Sequence, residues 1–120
     1  MRLLVIDDSA VDRCALVNVL QNLGHEVDEC DSTDHALPKI EAGNYNLVFL
    51  DVVMPGQDGY KFLRSLRLNP STAEQYVVFC SSKKTPLEVN YGLKRAGAND
   101  YLTKPVTNET VGEVLQRLSA

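Results

Sequence analysis

The chain has 120 residues, 44% of them apolar, with seven glycines and five prolines. That is the size and composition of a single domain, residues 1–120, with one continuous core, and it excludes both disorder and a fibrous repeat. A formal net charge of -4 argues against direct nucleic-acid binding, which rests on a basic field. The chain also holds no apolar stretch near the roughly 18 residues of a membrane span.

Leu3-Leu4-Val5-Ile6 reads as a buried strand that stops at Asp7 and Asp8. Ser9, with Asp12 three residues on, approximates a capping box for a first helix. Cys14, Ala15, Val19, Leu20 and Leu23 supply most of its apolar stripe, and Gly24 follows its end. A short run around Val27, flanked by Glu26, Asp28 and Glu29, suits an edge strand. Ala36, Leu37 and Ile40 carry a second helix that ends at Gly43, with Pro38 tolerable only near its first turn. Leu47-Val48-Phe49-Leu50 is a second buried run, closed by Asp51 and followed by the turn-rich Met54-Pro55-Gly56-Gln57-Asp58-Gly59. Tyr60, Phe62, Leu63 and Leu66 form the face of a third helix, stopped by Asn69 and Pro70. Val77-Val78-Phe79-Cys80 then stops at Ser81. Thr85-Pro86-Leu87-Glu88 combines a helix cap, a proline at the first helical position and an acid at the third. That fourth helix should turn Leu87, Tyr91 and Ala96 to the core, leave Lys83, Lys84, Lys94 and Arg95 in solvent, and end at Gly97. Asp100-Tyr101-Leu102 is a short last strand, and Thr107 opens a helix carrying Val111, Val114, Leu115 and Leu118.

Five strands alternating with five helices define an α/β fold, a doubly wound parallel sheet covered on both faces; spacing alone does not fix the strand order. In such a sheet the strands' carboxyl ends open on one edge, so Asp7, Asp8, Asp51 and Ser81 converge there and Lys104, just past the last strand, joins them. Carboxylates packed this closely raise one another's pKa unless a cation neutralises them. The site therefore asks for a hard divalent ion, magnesium being the expected one. The cysteines Cys14, Cys30 and Cys80 lack zinc-site spacing and are expected as small buried thiols in a reducing compartment. With no signal-type segment at the N-terminus, the default location is the cytoplasm.

These residues, in this order, resemble a response-regulator receiver domain of two-component signalling, across essentially the whole chain. The resemblance is carried by Asp7 and Asp8, Asp51, Met54-Pro55 with Asp58-Gly59 behind it, Ser81, Tyr101 and Lys104-Pro105. It implies strand order 2-1-3-4-5 and makes Asp51 the acceptor of a phosphoryl group from a histidine kinase or phosphotransfer protein. It implies magnesium held by Asp8 directly, by Asp7 through water, by Asp51 and by the carbonyl of Val53. Ser81 and the N–H of Ser82 would meet phosphoryl oxygens, Lys104 would balance their charge, Lys104-Pro105 would be cis, and Ser81 with Tyr101 would form the switch. Ser81 lies 23 positions before Lys104, one more than the family's usual interval. The helix after Ser81 or its following loop should therefore carry an extra residue, and Ser82 stays open as an alternative source of the hydroxyl.

His25 and His35 fall outside the convergent edge, Asp58 is expected to cap the third helix, and Gly59 to permit a tight backbone. No glycine-rich nucleotide loop is present. The expected function is a phosphorylation-controlled switch that alters binding to a partner protein, since no DNA-binding or enzymatic module follows Leu118, and not a dedicated enzyme. Two other readings use the same residues. A small magnesium-dependent phosphohydrolase would need a positioned general acid and a substrate-covering element. A permanently protein-binding domain would keep the site without using it.

Overall fold

A computed structural model describes every residue except Pro55, Lys84, Ala120 and the side chain of Gln57; the expectations for Pro55 and Lys84 lie outside the described residues. In chain order the elements are β1 (Arg2–Ile6), α1 (Ala10–Asn22), β2 (Glu26–Cys30), α2 (Thr33–Glu41), β3 (Leu47–Asp51), α3 (Gly59–Leu68), β4 (Val77–Ser81), α4 (Pro86–Asn90) running into a π-helical turn (Tyr91–Arg95), β5 (Asp100–Thr103) and α5 (Asn108–Ser119). The sheet is parallel throughout, in the order β2-β1-β3-β4-β5.

Continuous apolar runs arise because both faces of the sheet are covered. Leu4, Ile6, Val48, Leu50, Val77, Phe79 and Tyr101 pack with Ala36, Ile40, Leu63, Leu66 and Ala96 from α2, α3 and the end of the fourth helix. Their alternates Leu3, Val5, Leu47, Phe49, Val78, Cys80 and Leu102 pack with Leu16, Val17, Leu20, Val111, Val114 and Leu115 from α1 and α5. β2, at the edge, buries only Cys30 fully.

Four local expectations are corrected. In α1 the buried stripe is Leu16, Val17 and Leu20, while Cys14 and Ala15 are exposed; apolar residues surround this helix, so its periodicity carried no single phase. Cys14 is consequently not a buried thiol, unlike Cys30 and Cys80. Pro38 sits in the middle of α2. The one bond it forfeits would end on the carbonyl of exposed Asp34, within reach of water. Leu87 and Tyr91 are both exposed, Leu87 by 80%: the stripe that meets the core runs through Val89, Leu93 and Ala96 with Gly92 buried among them.

The fourth helix, one of the two places where an extra residue is expected, contains a π-type turn. The N–H of Ala96 donates to the carbonyl of Tyr91, five residues back, at 3.1 Å, which is the π-type bond that absorbs one added residue without breaking a helix. Between β3 and α3, Val53–Met54 and Gln57–Asp58 form a two-residue antiparallel ladder where the sequence indicated only a loop. Among the described residues no helix is long and apolar enough to cross a membrane.

Candidate functional site

Three strand ends and the loop after β5 build one crevice of about 680 Å³, lined by Asp8, Asp51, Val53, Ser81, Ser82 and Lys104 among others. Asp7 extends the β1 ladder by donating its N–H to the carbonyl of Cys30 at 3.1 Å, which holds its carboxylate on the crevice floor, 4% exposed. Asp8 is exposed at the lip. Asp51 ends the central strand and is buried; the N–H of Val53 points at its Oδ1 from 3.4 Å. One carboxylate oxygen from each of Asp7, Asp8 and Asp51 lies within 4.8 Å of the others.

Lys104 Nζ is 2.8 Å from Asp7 Oδ2, 2.9 Å from Asp12 Oδ2 and 3.7 Å from Asp51 Oδ2. Its own backbone N–H donates to the carbonyl of Ser81 at 2.9 Å, and the Lys104-Pro105 peptide is cis. Burial pulls its pKa down, but the hydrogen bonds to Asp7 and Asp12 and the charge of Asp51 outweigh that and hold the ammonium above its usual range. Asp51 is pushed up to about 6, first by burial and then by the charge of Asp7, against the pull of Lys104 and the Val53 N–H. Metal-free, the cluster thus resists full ionisation. Three converging carboxylates with that electrostatic excess fit a hard, oxygen-seeking divalent cation.

The hydroxyl side is equally ordered. Ser81 is 3% exposed, and its Oγ accepts the N–H of Lys83 at 3.1 Å. Ser82 is exposed on the crevice wall. Tyr101 is already inside, 8% exposed, with its hydroxyl donating to the carbonyl of Lys83 at 2.7 Å. Ser81 and Tyr101 therefore grip the same residue from its two backbone polar groups. Tyr101 also lies edge-on to Phe79, ring centroids 6.3 Å apart.

The supporting residues divide clearly. Asp58 caps α3, accepting from the N–H groups of Tyr60 at 2.9 Å and Lys61 at 3.3 Å. A Cβ on Gly59 would fall 2.6 Å from the carbonyl oxygen of Asp51, so glycine is required there by close backbone approach. His25 neighbours the terminal amine and His35 pairs with Asp31, both away from the crevice. Sequence reasoning missed Asp12 as a site residue. Ser9 Oγ does cap the Asp12 N–H at 3.3 Å, but the reciprocal bond is absent among the described residues because the Ser9 N–H donates to Asp7 Oδ1 at 2.9 Å. The freed carboxylate turns to Lys104. Its position four residues after Asp8, one helical turn on, was the available signal.

The family described as response regulator receiver domain matches residues 3–116, and the chain belongs to it. It is 31% identical over 119 residues to Protein PilH of Pseudomonas aeruginosa, covering 99% of this chain and 98% of that protein. It is 33% identical over 120 residues to the Gliding motility regulatory protein of Myxococcus xanthus, of whose length it spans only 15%. Among solved structures, Vibrio cholerae chemotaxis protein CheY4 superposes with a TM-score of 0.87 at 28% identity, covering 98% of this chain and 97% of that one. The receiver domain of a Pseudomonas aeruginosa sensor histidine kinase, with magnesium in its active-site cleft, shares the fold at TM-score 0.86 and 24% identity, covering 99% and 98%.

Proposed function

We propose that this receiver domain is a phosphorylation-controlled switch of the cytoplasm, in which Asp51 accepts a phosphoryl group from a histidine kinase or phosphotransfer protein and a partner protein reads the result. The observation that carries this reading is the meeting of buried Asp51 with Asp7, Asp8 and Lys104 at one strand edge. An ionised Asp51 oxygen attacks phosphorus; one O–P bond forms, the P–N bond to the donor imidazole breaks, and the departing nitrogen takes a proton from solvent. Asp7, Asp8, Asp51 and the Val53 carbonyl would hold magnesium, which when bound neutralises the carboxylates and the charge on the transferring oxygens. Lys104, the Ser81 hydroxyl and the Ser82 N–H receive those oxygens. The bound ion in the kinase receiver domain's cleft supports that choice of metal.

Transmission runs through Lys83. Ser81 Oγ, once it donates to a phosphoryl oxygen, shifts the Lys83 peptide on which the Tyr101 hydroxyl also rests, and so biases the face made by α4 and α5. New charge-assisted bonds of roughly 1.5–3 kcal/mol each, partly offset by ordering, suffice to invert a two-state population. Lys94 and Arg95 beside exposed Leu87 and Tyr91 on that face suit an acidic partner. Self-phosphorylation from a small donor and self-dephosphorylation complete the cycle. Val53, 56% exposed at the mouth, has no side-chain group to orient a hydrolytic water, so the phosphorylated state is long-lived.

The test is magnesium-dependent uptake of phosphate from phosphoramidate. Wild type should form an acyl phosphate and Asp51→Asn none; phosphate mapped to a serine, or labelling that persists in Asp51→Asn, overturns the assignment. Val53→Asn should lose its phosphate faster than wild type.

A further inference from the structure

An ammonium has three N–H donors, and two of those on Lys104 are committed, to Asp7 Oδ2 at 2.8 Å and to Asp12 Oδ2 at 2.9 Å. Asp51 Oδ2, at 3.7 Å, is beyond hydrogen-bond reach. The two tethers differ in kind. The Asp7 side chain is 5% exposed and belongs to the carboxylate cluster with Asp8 and Asp51, whereas the Asp12 side chain is 47% exposed and stands on the first turn of α1. Asp12 is free to act there because the N–H of Ser9, its natural capping partner, is spent on Asp7.

We propose that Asp12 is a positioning residue, which holds the Lys104 ammonium off the acceptor and thereby slows phosphorylation of Asp51. The inference rests on Asp51 being the acceptor. The third N–H is uncommitted among the described residues, but the two tethers hold the ammonium 3.7 Å from Asp51 Oδ2; for Lys104 to close on a phosphoryl group at Asp51 one tether must lengthen, and Asp12 is the one that no other site group shares. Releasing it improves a contact made in the transfer step, so the benefit falls on the saturating rate. A bystander charge at the crevice mouth would act differently, by repelling an anionic donor and raising the half-saturating concentration.

The experiment compares wild type, Asp12→Asn and Asp12→Glu, with magnesium and phosphoramidate, following acyl-phosphate formation across donor concentration. The ¹⁵N resonance of the Lys104 ammonium is recorded in the metal-free proteins alongside. Asp12→Asn should raise the saturating rate roughly three- to tenfold with the half-saturating concentration unchanged, and should shift the Lys104 resonance. Asp12→Glu, which keeps the carboxylate, should return both toward wild type. A fall in half-saturating concentration with no gain in rate, or a Lys104 resonance indifferent to Asp12→Asn, overturns the proposal alone. A wild-type protein that takes up no phosphate overturns the reading of Asp51, and this inference with it.

Discussion

Both ends of the sheet draw charged groups below the surface, and only one end satisfies them. At the amino edge Arg67, in the last turn of α3, donates Nε to the carbonyl of Gly97 at 3.2 Å, Nη1 to those of Ala73 at 3.1 Å and Gln75 at 2.7 Å, and Nη2 to Asn99 Oδ1 at 2.9 Å. The same Asn99 oxygen accepts the N–H of Val77 at 2.8 Å, where β4 begins. At the carboxyl edge Asp7, Asp12 and Asp51 share one ammonium, and the pKa of Asp51 is pushed up to about 6 by burial and the charge of Asp7. A half-buried charge held by four hydrogen bonds fixes a structure; one left short of partners stores free energy that a cation or a phosphoryl group can release.

The largest expected effect comes from breaking the satisfied end. Arg67→Ala strands three carbonyls for which no other partner is seen among the described residues and removes the side chain's packing, so urea unfolding should report a loss of about 2–4 kcal/mol. Lysine cannot reproduce the planar fork, and Arg67→Lys should recover only part of it. The folded fraction of either variant should still label at Asp51. A loss under about 0.5 kcal/mol would show that the amino edge does not carry stability in this way.

The unsatisfied end should respond in the opposite direction. Because the folded pKa of Asp51 is about 6, above its ordinary value near ~3.9, the native state binds more protons between those values. It therefore loses stability as pH rises through that window, and at neutral pH the whole penalty stands. Asp51→Asn removes it. Without divalent ions the variant should be more stable than wild type by about 1–2 kcal/mol at pH 7, after discounting for solvent screening, with the gain vanishing near pH ~4. Thermal melts at the two pH values check this, and a variant no more stable at pH 7 would erase the contrast between the ends.

The two ends were also unequally legible in the sequence. The carboxyl edge announces itself, because each strand is an apolar run and the residue that stops it is the site residue: Asp7, Asp51 and Ser81 needed no knowledge of packing. The caps Thr85 and Asp58 were equally local. Arg67 carries no such signal, since its partners lie 6 to 32 residues away and meet only in the folded sheet. Asp12 was visible but assigned to a cap, as the competing claim of Asp7 on the Ser9 N–H is a tertiary fact. The π-helical turn in the fourth helix could not be read locally, because it depends on what that helix packs against.

Tyr101→Phe sharpens the comparison at the level of one bond between the site and the output face. It deletes the hydroxyl that holds the Lys83 carbonyl at 2.7 Å and leaves the ring against Phe79. The stability loss should be about 1 kcal/mol, seen by denaturant titration, and the Lys83 and Ser81 amide resonances should shift. An unchanged Ser81 would mean that the two residues do not communicate through Lys83.

Gly92→Ala should have the smallest effect on stability and the most local one on structure. Gly92 lies in the π-helical turn, and a Cβ there would stand 3.0 Å from Phe79 Cδ2 and 3.1 Å from Tyr101 Cε2. Both rings are buried, so neither can swing away freely, and the overpacking costs about 1–3 kcal/mol. Alanine's better helical propensity returns roughly 1 kcal/mol, leaving a net loss of about 1 kcal/mol or less by thermal melt if the rings yield a few tenths of an ångström. The absence of a side chain at this position is what lets the π-helical turn lie close on the rings. The methyl should therefore push Tyr101 rather than unwind the helix, and the push should reach Lys83 through the phenol hydroxyl. Side-chain and amide resonances decide between the two: movement at Tyr101 and Lys83 places the fourth helix in contact with the crevice. Movement confined to residues 91–96 would instead make the π-helical turn a local accommodation, and the output face would need another route from Asp51.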